Sequence, residues 1–85
     1  MSAIFSTVFG TVVRKRREGS GLSQESLADF AGIHRTYVSS IELGKVRLGL
    51  DVAKKVADGL KIPLSELIAE AEREHSPRTK TREKR

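Results

Sequence analysis

Apolar residues recur along this chain at helical spacing, and turn-forming residues cut the pattern before any segment grows long. The clearest case is LSELIAEA, residues 64–71, where Leu64, Leu67, Ile68 and Ala71 fall at i, i+3, i+4 and i+7. No stretch alternates polar and apolar in the manner of a strand, so the chain reads as all-α.

Five segments carry the pattern. The first, about 3–18, puts Phe5, Phe9, Val12 and Val13 on a face that Ile4 and Val8 widen. It closes with Arg14-Lys15-Arg16-Arg17 before Gly19, cations that suit a helix C-terminus. In the second, 24–31, Ser23 is placed to cap the helix and Leu22 and Leu27 to staple it, with Leu27, Ala28 and Ala31 inward. Gly32 stops it after two turns. The third, 35–43, has His34 as a cap, Ile33 and Val38 as a second staple, and Gly44 as its end. The fourth, about 50–60, follows Gly49 and turns Leu50, Ala53, Val56, Ala57 and Leu60 inward. Ile62-Pro63 breaks the chain, and Pro63 suits the first turn of the fifth helix, about 64–75.

Eighty-five residues make one small domain. The net charge of +5 favours a polyanionic partner, and it is unevenly placed. Residues 1–75 hold eleven basic and ten acidic side chains; the last ten, SPRTKTREKR, hold five basic and one. We therefore expect a domain over 1–75 and a disordered basic tail over 76–85, which either strengthens nucleic-acid binding or serves as a solvated end.

Several classes are disfavoured. There is no cysteine, so disulfides and thiolate metal sites are excluded. The apolar start SAIFSTVFGTVV makes a poor signal peptide, and no run approaches a membrane span; a cytoplasmic protein is expected. His34 and His75 belong to no HExxH, no nucleophile elbow is present, and Gly44-Lys45 is not a phosphate loop. No enzyme, metal or cofactor is expected.

The third helix carries the functional signal. At 100° per residue, Val38 and Ile41 define its buried side and Thr36, Ser39, Ser40 and Leu43 project away from it. Arg35 lies at the edge of that outer face and Tyr37 at the other edge. A solvent face would favour Glu, Lys and Gln; short hydroxyl side chains instead let a helix lie close against another surface. Thr and Ser bond phosphates or base edges, and Arg pairs with guanine O6 and N7.

Two short helices joined by Gly32-Ile33 complete a specific pattern. Gly21-Leu22-Ser23-Gln24, Leu27-Ala28, Gly32-Ile33, Val38-Ser39, Ile41-Glu42 and Gly44-Lys45 resemble the lambda-repressor-like helix-turn-helix family, the Cro and phage-repressor type. Leu50, Val56-Ala57, Leu60 and Leu64-Ser65-Glu66-Leu67 fit that family's last two helices, so the resemblance spans about Phe9 to Ile68. His34-Arg35-Thr36-Tyr37-Val38-Ser39 also looks like the controller proteins of restriction–modification genes.

The resemblance implies a compact five-helix DNA-binding domain whose third helix reads double-stranded DNA in the major groove. It implies base or nearby phosphate contacts from Arg35, Thr36, Ser39 and Ser40, and phosphate contacts from Gln24, Lys45 and Arg47. Tyr37 either reaches the DNA or packs half-buried. Arg17 and Glu42 match a structural ion pair of the family. Leu43, Leu48 and Ala53 depart from the pattern, Leu43 leaving a phosphate contact there in doubt and Ala53 leaving a smaller core contact.

A palindromic operator calls for a homodimer, expected through Leu64, Leu67, Ile68 and Ala71 with support from Ile4 and Val8. The alternative is a DNA-binding antitoxin or a protein-interaction module of the same fold, with Glu66, Glu70, Glu72 and Glu74 facing a toxin or other partner.

Overall fold

The computed structural model describes residues 4–75, and the basic tail lies outside them. Within that range five helices follow in order: α1 (Phe5–Gly19), α2 (Gln24–Ala31), α3 (Arg35–Glu42), α4 (Leu50–Leu60) and α5 (Leu64–His75). No strand occurs among the described residues.

Local chemistry sets most of the boundaries. The Ser23 hydroxyl accepts from the Ser26 N–H at 2.9 Å and opens α2. The chain then turns left-handed at Gly32 (φ 73°), and the Gly32 and Ile33 N–H groups close back on Asp29 and Ala28 carbonyls. A Cβ is disfavoured in that region, so glycine stops the helix at little cost. Gly44 and Lys45 close α3 in the same way on Ile41 and Ser40. At the end of α4 the left-handed residue is Lys61 (φ 63°), one position before the Ile62-Pro63 break expected from sequence.

One core joins all five helices. Leu27, Ile41, Leu67, Val12, Val13, Val38 and Val56 are its largest fully buried side chains. Burying such side chains stabilises the fold by roughly 1.5–3 kcal/mol each. Gly10 lets α1 press against α3: a Cβ there would overlap the Ile41 carbonyl oxygen. The residue therefore serves packing rather than breaking the first helix.

Three expectations change. Leu50, expected inside, is 75% exposed, because it opens α4 at the rim of the core. Leu67 and Ala71, expected at a dimer interface, are both 0% exposed and close the core of their own chain. Of that stripe, only Leu64 and Ile68 keep accessible apolar surface. The acids of α5, considered as a partner face, are largely taken by α1. Arg16 bonds Glu70 (2.7 Å) and Glu66 (2.9 Å), and Lys15 bonds Glu74 (2.6 Å).

Beside α5 a groove of about 120 Å³ is lined by Phe5, Phe9, Leu48, Leu50, Ala53 and Ile68 among others. The small Ala53 side chain stands on its wall.

Candidate nucleic-acid interface

α3 is held from behind and left open in front. Val38 and Ile41 are each 1% exposed and face the core. Arg35, Thr36 and Leu43 are exposed, and Ser39 and Ser40 are half-buried beside them. The predicted outer face is therefore one surface, with its arginine and threonine at the N-terminal end. Tyr37 is half-buried and packs against the core.

The last turn of α3 is anchored by a buried network. Arg17 donates through Nε to Glu42 Oε2 at 2.7 Å and through a second nitrogen to Oε1 at 3.1 Å. Its remaining nitrogen donates to the Leu22 carbonyl at 2.7 Å. The Glu42 side chain is only 2% exposed and that of Arg17 11%. The hydrogen bond to Glu42, reinforced by its charge, raises the Arg17 guanidinium above its usual range against the opposing effect of burial. One ion pair thus joins α1, the α1–α2 turn and α3.

Gln24 completes this network: its amide nitrogen donates to Glu42 Oε1 at 3.0 Å. The side chain expected to reach a phosphate is thus turned inward. Sequence reasoning gave Gln24 a phosphate and no partner within the protein, since the first position of a helix carries no signal for a contact eighteen residues away.

The same pairing shapes the electrostatics. Glu42 is the only acid on α3, and Arg17 neutralises it inside the protein. Arg14 is likewise engaged with Glu18 at 3.1 Å, so the whole basic run of α1 has carboxylate partners. Arg35, Lys45 and Arg47 are exposed and make no salt bridge among the described residues. The unneutralised positive charge near α3 sits on its first residue and on the loop after it. That arrangement suits phosphates flanking a groove.

Among the described residues no group of His, Cys, Asp and Glu could hold a metal. No helix there is long and apolar enough to cross a membrane.

A short helix, a glycine turn and a second helix with a short-chained polar face define a DNA-binding helix-turn-helix module. Residues 13–67 match the family model described as helix-turn-helix, and the chain belongs to that family, one of regulators and not of enzymes. It is 46% identical over 67 residues to the control protein C.MunI of Mycoplasma sp, covering 78% of this chain and 90% of the relative. The crystal structure of the restriction-modification controller protein C.AhdI from Aeromonas hydrophila matches with a TM-score of 0.70 and 39% identity, over 73% of this chain and 94% of that one. A nucleoprotein complex of C.Esp1396I matches with a TM-score of 0.73 and 25% identity, over 81% of this chain and 94% of that one.

Proposed function

We propose that this protein is a transcriptional regulator of restriction–modification genes that binds a palindromic operator as a homodimer, with α3 in the major groove. The observation that carries the reading is the outer face of α3. It offers Arg35, Thr36, Ser39 and Ser40, while the only acid of the helix, Glu42, is buried against Arg17 on the opposite side. The likeness to restriction–modification controller proteins supports the gene context.

In this arrangement Arg35 and Thr36 read base edges, and Ser39 and Ser40 bond bases or nearby phosphates. Lys45 and Arg47 lie along the backbone, where they fix register without reading sequence. With the Gln24 amide held by Glu42, its phosphate contact runs through the unpaired backbone N–H groups that open α2. The Tyr37 hydroxyl reaches the DNA from the edge of α3 while its ring stays packed. Residues 76–85 add charge to the phosphate term alone.

One α3 covers half a site, so specific binding needs a second copy. Leu64 and Ile68 are the accessible part of the α5 stripe, and Ile4 (50% exposed) and Leu50 (75%) add apolar surface. A two-fold axis along this side of the molecule would cover Ile68 and the groove beside it. Because Glu66, Glu70 and Glu74 are paired with α1, the acidic face offers less to a toxin-like partner than the sequence suggested.

Selection of bound sites from a random DNA library tests the reading. It should enrich a palindrome whose half-sites lie about one helical turn, roughly 34 Å, apart. A selection at moderate salt that enriches no motif would contradict it.

A further inference from the structure

We infer that His34 fixes the direction of the hydrogen bond through which Thr36 reads a base, making Thr36 an acceptor for an exocyclic amino group of adenine or cytosine. The inference rests on the docking of α3 proposed above.

His34 immediately precedes α3. Its Nδ1 lies 3.4 Å from the Thr36 backbone nitrogen and 2.9 Å from Thr36 Oγ1. That backbone N–H belongs to the first turn and has no carbonyl partner within the helix. A hydrogen on Nδ1 would point into it, so Nδ1 caps the helix only as a bare acceptor. With Nδ1 bare, the ring carries its hydrogen on Nε2. The Thr36 hydroxyl lies 2.9 Å from Nδ1, and on the tautomer that leaves this nitrogen bare as the helix cap it donates its single hydrogen there. Oγ1 is left with lone pairs for any outside partner.

An exposed threonine ordinarily rotates its hydroxyl to suit donor or acceptor alike. Here the rotor is locked by the residue that caps the helix. In the major groove, an acceptor-only oxygen is matched by adenine N6 and cytosine N4 and mismatched with guanine O6 and N7, thymine O4 and phosphate oxygens. Arg35, the preceding residue, carries donors only and is matched by the complementary set. The start of α3 therefore presents one fixed donor and one fixed acceptor side by side.

Site selection with wild type, Thr36→Val, His34→Ala and His34→Asn locates the contact. Thr36→Val keeps the shape and removes the hydroxyl, so the base pair at which it loses preference is the one Thr36 reads. Every base pair carries one amino group in the major groove, so the decisive arm is chemical. Replacing that amino group by hydrogen should weaken wild-type binding by about 3- to 10-fold, the loss of one neutral hydrogen bond. Replacing purine N7 by carbon at the same pair should leave binding unchanged. His34→Ala frees the hydroxyl and should flatten the preference at this pair alone, whatever its effect on overall affinity. His34→Asn, whose amide oxygen again accepts at the cap, should restore it. Insensitivity to amino deletion, a loss on N7 replacement, an unaltered preference in His34→Ala, or a Thr36→Val profile identical to wild type would each overturn the inference. If wild type enriched no motif, the proposed docking would fall with it; an enriched motif with any of those four results sinks the Thr36 assignment alone.

Discussion

Arg17→Met should destabilise the domain far more than loss of any other cation in its basic run. The substitution keeps much of the apolar stem and removes the charge. It strands the Glu42 carboxylate, 2% exposed in the wild type, with the Gln24 amide as its one remaining side-chain hydrogen-bond donor among the described residues. Stranding a buried charge in this way costs about 3–5 kcal/mol. A domain of this kind holds roughly 5–15 kcal/mol in total, so the loss is a large share of it. Urea unfolding followed by helical circular dichroism reads this directly. The companion is Arg17→Met with Glu42→Leu, which removes both charges; replacing a buried pair by apolar side chains is often neutral or stabilising. The double variant should therefore recover most of the stability that the single one loses. A single-variant loss below about 1 kcal/mol, the range of exposed pairs, would refute the reasoning. So would a double variant no more stable than the single.

Arg35→Ala should weaken binding to the preferred site by about 1–3 kcal/mol and relax selection at one base pair per half-site; an unchanged preference in site selection would place Arg35 on phosphate instead. Ile68→Glu should retain helix content yet sediment as a monomer and bind the operator weakly, and a variant that still dimerises would move the interface off α5. The Lys15 ammonium is raised above its ordinary 10.5, chiefly by its hydrogen bond to Glu74. A raised folded-state value means the contribution is fully present below pH 10.5 and fades as pH climbs through the folded value. Thermal unfolding of wild type and Lys15→Met should accordingly differ below pH 10.5 and converge once pH has passed the raised folded-state value, while a gap that persists beyond it would mean the Lys15 stem, not its charge, matters.

The elements most legible in the sequence are those fixed by near neighbours. Ser23 and Gly32 bound α2, and Gly49 and Pro63 fall beside the starts of α4 and α5, because capping and turning act over a few residues. The outer face of α3 follows from the helical period and two buried anchors, Val38 and Ile41. Periodicity identifies an apolar face but not what covers it. Leu67 and Ala71 therefore read like interface residues when they seal the core, and Leu50 reads like core when it stands at the rim. The left-handed turn at Lys61 carries no glycine to announce it. Contacts across the fold were least visible: Arg16 meets Glu66 and Glu70, fifty and fifty-four positions away, by way of the α1–α5 packing. The His34 cap was legible, whereas its grip on the Thr36 hydroxyl depends on a rotamer that no spacing encodes.

Dimethyl sulfate footprinting on the selected operator tests the central claim most directly, since the reagent methylates guanine N7 in the major groove and adenine N3 in the minor groove. The account predicts protected guanine N7 atoms in two clusters about one helical turn, roughly 34 Å, apart, with adenine N3 at the same positions still reactive. Protection confined to adenine N3, or a saturated complex that leaves every guanine N7 open, would contradict a regulator that reads its operator with α3.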